Sequence, residues 1–251
     1  MQARAIVTGG LGFIGSNLIK LLLKNNFFVI NIDKINYASN IYNLKNVKKK
    51  INYKFYKSDI CNKKTLSMIL KKHKPNVLFN LAAETHVDRS INNPQNFVRS
   101  NIIGVYNILE CIKEYTKINK NFKMIHVSTD EVYGDIKELK KSREGDKYQP
   151  SSPYSASKAS ADHLINAYVR TYNLPIVISN CCNNFGPNQL PEKFIPKIIF
   201  NIIMKKTIPI YGKGKNQREW IYVEDHCFAL ISLFKNSKIG ESYNIGTGFV
   251  I

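Results

Sequence analysis

An α/β fold on a doubly wound parallel sheet, with a smaller region toward the C-terminus, is predicted by three features of the sequence. Apolar, β-rich runs recur along the chain, and helical patterns lie between them. The rhythm then changes after Asn180, where Pro187, Pro191, Pro196 and Pro209 punctuate shorter elements. Strands alternating with helices join in parallel, and a parallel sheet is covered by helices on both faces. The 251 residues and 44% hydrophobic content supply enough apolar material for one large domain, or one with a small appendage. The expected division is a sheet domain over 1–180 and a partial second region over 181–251, interleaved with the last sheet elements.

In order, the strands are expected at 4–8, 27–32, 53–58, 77–81, 123–128 and 175–180, and the helices at 14–25, 62–73, 93–116 and 156–172. The first helix shows its buried face in Ile14, Leu18, Leu21 and Leu22. Between it and the first strand stand Gly9, Gly12 and Gly15, and Gly10-x-Gly12-x-x-Gly15 also fits the spacing of a dinucleotide-binding turn. Such a turn needs a tight bend, backbone close enough to touch a pyrophosphate, and close packing of helix on strand, with the phosphates at the positive helix end. A glycine pattern alone is weak; its place between a strand and an amphipathic helix makes a Rossmann-type sheet the expectation. Asp33 ends the second strand 18 residues past Gly15, where a carboxylate can accept from ribose hydroxyls and repel a 2′-phosphate, which points to NAD rather than NADP. Asp59 and Ile60 could hold the adenine, and Leu81, Ala82 and Ala83 are small enough for backbone to pass close to a cofactor.

The formal charge is +19, from 37 Lys and Arg against 18 Asp and Glu. A polyanion partner would suit it, but residues 41–75, with 11 Lys and the single acid Asp59, fall within ordinary strand and helix patterns, and 29 Asn accompany the Lys. A charge spread in this way reads as solvated surface, with no specific nucleic acid as partner. Cys61, Cys111, Cys181, Cys182 and Cys227 form no CxxC and are odd in number, which disfavours disulfides and zinc. No metal site is expected, since His86, His126, His163 and His226 also lack ligand spacing. No apolar run approaches the ~20 residues of a membrane span, and the first strand begins too early for a signal peptide. The expected location is cytoplasmic, with no membrane partner.

Tyr154-Ser155-Ala156-Ser157-Lys158 places a phenol and an ammonium on one helix face. A tyrosine near its usual pKa of about 10 is a poor base, and a nearby cation would lower that value. The fifth strand runs into Ser128-Thr129-Asp130-Glu131-Val132-Tyr133-Gly134, with two adjacent acids at the carboxyl edge where open α/β sheets bind ligands. Such a pair can divide into proton donor and acceptor if their environments separate their pKa values.

With the glycine turn, the Tyr-Lys pair resembles the short-chain dehydrogenase/reductases. TGGLGFIGSN (8–17), NLAAETHVDRSI (80–91), STDEVYG (128–134), SSPYSASKASADHL (151–164), NCCNNFGP (180–187), PEKFIP (191–196) and REWIYVEDHC (218–227) sharpen this to a resemblance to the dTDP-glucose 4,6-dehydratase family of extended short-chain enzymes. The segments span almost the whole chain. Related epimerases share the glycines and the Tyr-Lys pair but typically lack the Asp-Glu pair, and GDP-mannose dehydratases generally keep only the Glu.

The resemblance implies an NAD site formed by Gly9, Gly12, Phe13, Ile14, Gly15, Asp33, Lys34, Asn36, Asp59, Ile60, Leu81, Ala82, Ala83, Thr85, Ser100, Tyr154, Lys158 and Asn184. It implies a lyase acting on dTDP-glucose. Tyr154, activated by Lys158, would take the O4 proton as hydride leaves C4 for NAD⁺. Glu131 would remove the C5 proton while protonated Asp130 donates to the departing C6 hydroxyl, and hydride would return to C6. Thr129 would hydrogen-bond near O4. Substrate contacts are implied for Glu84, Thr85, Asp88, Thr129, Asn183, Glu192, Lys193, Pro209, Tyr211 and Arg218, the last suited to a diphosphate by its planar fork. Two bland readings stand beside these: Glu84, Asp88 and Arg89 as a structural ion-pair cluster, and Arg218 as an interface residue beside Trp220.

Departures from the family are Cys182 for Ser, Glu219 for Asp and Ser100 for Thr, and a chain that stops soon after Gly248, where family members run on to complete the substrate lobe. The expected alternatives are a UDP-sugar 4,6-dehydratase, 4-epimerase or decarboxylase, or a fragment or shortened copy that binds NAD as an inactive scaffold. Ile102, Val105, Ile108 and Leu109 are expected to project from their helix into a four-helix homodimer interface, as the resemblance implies.

Overall fold

The structure, a computed structural model, describes residues 2–136, 141–208, 214 and 217–250. Its main sheet is formed by β1 (Arg4–Thr8), β2 (Phe28–Asp33), β3 (Tyr53–Lys57), β4 (Val77–Asn80), β5 (Lys123–Thr129), β6 (Ile176–Cys181) and a late strand, β9 (Ser242–Ile245). The order across the sheet is β3-β2-β1-β4-β5-β6-β9, and every pairing in it is parallel. Strand order reverses between β1 and β4, which opens a crevice at their carboxyl ends. A separate pair, β7 (Asn183–Phe185) and β8 (Trp220–Tyr222), lies outside this sheet.

Alternate residues of each strand feed two cores. Ala5 and Val7 of β1 pack with Leu18 and Leu22 of α1 (Phe13–Lys24) and Leu230 of α8 (Val223–Asn236). Ile6, between them, faces Ile69 of α2 (Lys63–His73), Ile108 of α5 (Gly104–Ile118) and Ile165 of α6 (Pro153–Tyr172). This period of two is why both faces of the sheet are apolar and both carry helices. The remaining helices are α3 (Val87–Asn92), the short α4 (Gln95–Phe97) and α7 (Phe194–Ile203).

Residues 181–250 contribute to both regions: β9 extends the main sheet beside β6 and α8 covers it against α1, whereas β7, β8 and α7 stand at the crevice.

Two expectations need correction. The helix read over 93–116 is not one regular helix: a π-helical turn over Val98–Ile103 separates α4 from α5. Of the four residues expected to face a partner, Val105, Ile108 and Leu109 are wholly buried against their own sheet. Exposed in this layer are Val98 (46%), Ile103 (47%) and Tyr106 (41%), with Ile118 (81%) at the end of α5 and Tyr172 (48%) on α6.

No helix among the described residues is long and apolar enough to cross a membrane. The five cysteines are all free thiols.

Candidate active site

A cleft of about 1730 Å³ runs along the carboxyl ends of the central strands. That exceeds the roughly 300–1,000 Å³ of a pocket for one drug-sized ligand. At one end lies the glycine turn. Gly9 has φ +69, and a Cβ there would stand 2.9 Å from the backbone nitrogen of Ala82. A Cβ on Gly15 would stand 2.3 Å from the Gly9 carbonyl oxygen. Gly12 precedes α1 with no side-chain cap, so the first-turn N–H groups face the cleft free of competition. This cradle admits backbone and phosphate where a side chain would block both, and it fits a dinucleotide.

Asp33, buried at the end of β2, accepts from Leu11 N (2.9 Å), Ile35 N (2.8 Å) and Ser39 Oγ (2.7 Å). These bonds hold the carboxylate rigid at the cleft wall, with its oxygens placed to accept from ribose hydroxyls. All eighteen residues expected at the cofactor line the cleft. Asn184 does so with its amide already engaged: Nδ2 donates to the Cys182 carbonyl (2.9 Å), and Oδ1 lies 2.8 Å from His226 Nδ1.

The other end gathers the reactive groups. Ser152 and Ser155 form a capping box that starts α6, and Pro153 occupies its first turn. Ser90 Oγ accepts from the Tyr154 backbone N–H (3.1 Å), and the Phe97 ring meets the phenol edge-on at 6.4 Å. Lys158, one turn on, donates to the Val127 carbonyl at 2.7 Å.

The sequence led us to expect a lowered phenol pKa. Instead burial pushes Tyr154 well above its ordinary value, with the charges of Glu131 and Asp130 adding to the effect. The physical reason is burial first, and then orientation: the enclosed phenol faces two acids, while the ammonium is turned to a backbone carbonyl.

Those acids open a single 3₁₀ turn, Asp130–Tyr133, directly after β5. Burial raises Asp130 to about 6, aided by the charge of Glu219. Burial also raises Glu131, with Asp130 adding, while Arg218 and Lys193 pull it back. Thr129 donates to Asp130 Oδ1 (3.2 Å) and accepts from the Glu131 backbone N–H (3.3 Å), which fixes the Asp130 carboxyl and the start of the turn. Burial makes both acids hold their protons longer than usual, but only Glu131 is opposed by two cations, and that difference is what can separate donor from acceptor.

Thr85, Asp88, Asn183, Glu192, Lys193 and Arg218 line the cleft. Glu84 does not: its carboxylate turns aside to Lys34 (2.8 Å) and Asn36 (3.1 Å), beside a smaller pocket. Pro209 and Tyr211 lie outside the described residues. Among the described residues no three potential ligands gather to hold a metal.

Sequence reading missed Asn101. Buried at 1% exposure by the π-helical turn, it bonds both backbone groups of Glu84 and donates to Ser157 Oγ (2.8 Å), tying the loop after β4 to α6. The sequence carries no signal for it, because the π-helical turn breaks the helical period that would mark Asn101 as inward.

A parallel sheet with a dinucleotide cradle at its switch point and a Tyr-Lys pair one helical turn apart defines the extended short-chain dehydrogenase/reductase class. The family model described as GDP-mannose 4,6 dehydratase matches residues 6–251. A dTDP-glucose 4,6-dehydratase of Shigella flexneri is 46% identical over 258 residues, covering 97% of this chain and 72% of its own length. The dTDP-glucose 4,6-dehydratase of Bacillus anthracis, solved in complex with NAD, superimposes with a TM-score of 0.92 at 39% identity, covering 99% of this chain and 77% of that one. The Streptomyces venezuelae dTDP-glucose 4,6-dehydratase, solved with NAD and TYD bound, gives 0.93 at 38% identity, with the same coverage. A UDP-glucose 4-epimerase of Thermotoga maritima reaches 0.90 at 28% identity. The chain belongs to the dTDP-glucose 4,6-dehydratases, enzymes of the hydro-lyase kind within the broader nucleotide-sugar dehydratase family.

Proposed function

We propose that this chain dehydrates dTDP-glucose to dTDP-4-keto-6-deoxyglucose with retained NAD. The observation that carries the reading is the Asp130-Glu131 pair beside Tyr154, one acid raised to about 6 and the other faced by Arg218 and Lys193. Bound NAD supplies what side chains cannot, a two-electron acceptor whose electrons are returned to the same sugar.

The chain's own groups move the protons. Tyr154 accepts the O4 proton, and Lys158 supplies positive charge behind it. Oxidation at C4 acidifies C5–H, which Glu131 removes as a general base. Asp130 donates its proton to the departing C6 hydroxyl, so that water leaves rather than hydroxide. Thr129 orients the Asp130 carboxyl directly and anchors the backbone from which Glu131 projects. Lys193 and Arg218 face Glu131 and are suited to the diphosphate; Asn183, Glu192, Thr85 and Asp88 complete the wall. We assign Glu84 to positioning the loop after β4, since its oxygen is committed to Lys34 and Asn36.

The dinucleotide region is 1–180, and 181–251 supplies substrate contacts together with the last sheet elements. A homodimer is proposed through the helical layer of α5 and α6, by the exposed Val98, Ile103, Tyr106 and Tyr172 rather than by the buried residues first read. Five free thiols suit a reducing compartment such as the cytoplasm.

The test is incubation with dTDP-glucose and NAD, followed by mass spectrometry. A sugar nucleotide lighter by one water supports the reading; an isomer that keeps its C6 hydroxyl overturns it in favour of epimerisation.

A further inference from the structure

A line of buried polar groups runs behind the cleft from β1 to α6. Thr8 Oγ1 donates to Asn80 Oδ1 at 2.6 Å, which turns the Asn80 amide nitrogen toward His126 Nδ1 at 2.9 Å. Nδ1 therefore accepts, and the proton of the neutral ring sits on Nε2. Nε2 lies 3.5 Å from Asp162 Oδ1 and 3.4 Å from Lys158 Nζ. Asp162 Oδ1 makes no hydrogen bond, Nε2 approaching it only to 3.5 Å, while Oδ2 accepts from Ser128 Oγ at 2.6 Å. His126 is 1% exposed, Asp162 0% and Lys158 4%. Of the three only Lys158 reaches the cleft.

A buried ammonium is costly unless a carboxylate offsets it. Burial lowers the Lys158 pKa, and Asp162 is the acid that opposes this. The other titratable groups facing the pair are the Cys181 thiol on β6, raised to about 12, and the phenols of Tyr133 and Tyr148, all of them neutral at physiological pH. His126, pushed well below its ordinary value by burial and by Lys158, is a neutral spacer.

We propose that Asp162 is a positioning residue of the reaction: through its own buried charge, acting across the neutral ring of His126, it holds Lys158 as an ammonium at the cleft floor. Asp162 touches neither cofactor nor sugar, and its effect passes through Lys158. Burial raises Asp162 itself to about 6, so the support is present at neutral pH and withdrawn below it.

The inference rests on the reading of Lys158 as part of the dehydratase site, and its test does not depend on turnover. In the cofactor-free chain labelled at lysine Cε, the Lys158 resonance is assigned by its loss in Lys158→Met and titrated by NMR. Asp162→Asn is expected to lower the Lys158 pKa by a unit or more, a tenfold change in its acid dissociation constant. With NAD and dTDP-glucose, the alkaline limb of kcat is expected to move the same way, with KM within threefold. Ser128→Ala withdraws one donor from the same carboxylate, raises the Asp162 pKa further, and is expected to give a smaller shift of the same sign; it serves if Asp162→Asn does not fold. An unmoved Lys158 titration in a folded variant overturns the proposal. If Lys158 shifts but the unsubstituted chain makes no 4-keto sugar, the coupling stands and the dehydratase reading fails.

Discussion

Asp130→Asn is expected to stabilise the fold while removing the elimination step. Asp130 rises from 3.8 to about 6, chiefly because burial disfavours its charge. A folded-state pKa above the unfolded one means stability that is complete below the unfolded value and is lost as pH rises through the folded one. Two pKa units correspond to about 3 kcal/mol, almost fully lost near pH 7.5 and lost to only about 1 kcal/mol near pH 4.5. Asparagine does not ionise, and its Oδ1 can still accept from Thr129 as Asp130 does at 3.2 Å. Urea unfolding of both proteins at the two pH values measures the difference. The variant is expected to gain about 3 kcal/mol near pH 7.5 and about 1 near pH 4.5. Having no proton for the C6 hydroxyl, it is expected to form product about 10²–10⁴-fold more slowly. A variant no more stable than the parent, or one whose gain is equal at both pH values, would refute the claim that burial holds the proton on Asp130.

Tyr154→Phe removes the acceptor for the O4 proton and is expected to slow reduced-nicotinamide formation about 10²–10⁴-fold while leaving NAD content unchanged; single-turnover absorbance and cofactor analysis of the purified protein check this. Gly15→Ala sets a Cβ 2.3 Å from the Gly9 oxygen, so NAD is expected to be lost on gel filtration, with a stability cost of about 1–3 kcal/mol. Glu84→Gln weakens the 2.8 Å tie to Lys34; a cost of about 1 kcal/mol in thermal unfolding is expected, with the kcat for dTDP-glucose changed less than the stability.

Strands β1, β2, β4, β5 and β6 were legible within a residue or two because they are largely buried and read as apolar runs, and edge strand β3 because its Tyr and Phe alternate with Lys. β9 was not: its four residues are all half-buried, and their place is set by pairing with β6 some sixty positions earlier. The π-helical turn at 98–103 leaves no periodic trace, yet it turns Asn101 inward. At the site, residue types and spacing pointed to the glycine cradle and to the Tyr-Lys and Asp-Glu pairs. They could not reveal orientation. Whether Lys158 faces the phenol or the Val127 carbonyl, and whether Glu84 faces the cleft or Lys34, depends on contacts between elements distant in sequence. The same holds for His126, which read as structural and lies between an acid and the buried ammonium.

The central claim is that two electrons are moved from C4 to C6 of the same sugar, a transfer for which bound NAD would be the carrier, while side-chain acids carry the protons. Turnover of dTDP-glucose deuterated at C4 tests it most directly. The account predicts a 4-keto product that has lost water and carries the label at C6 of the same molecule. A product whose label remains at C4 with the C6 hydroxyl intact, or whose label is lost to solvent, would contradict it.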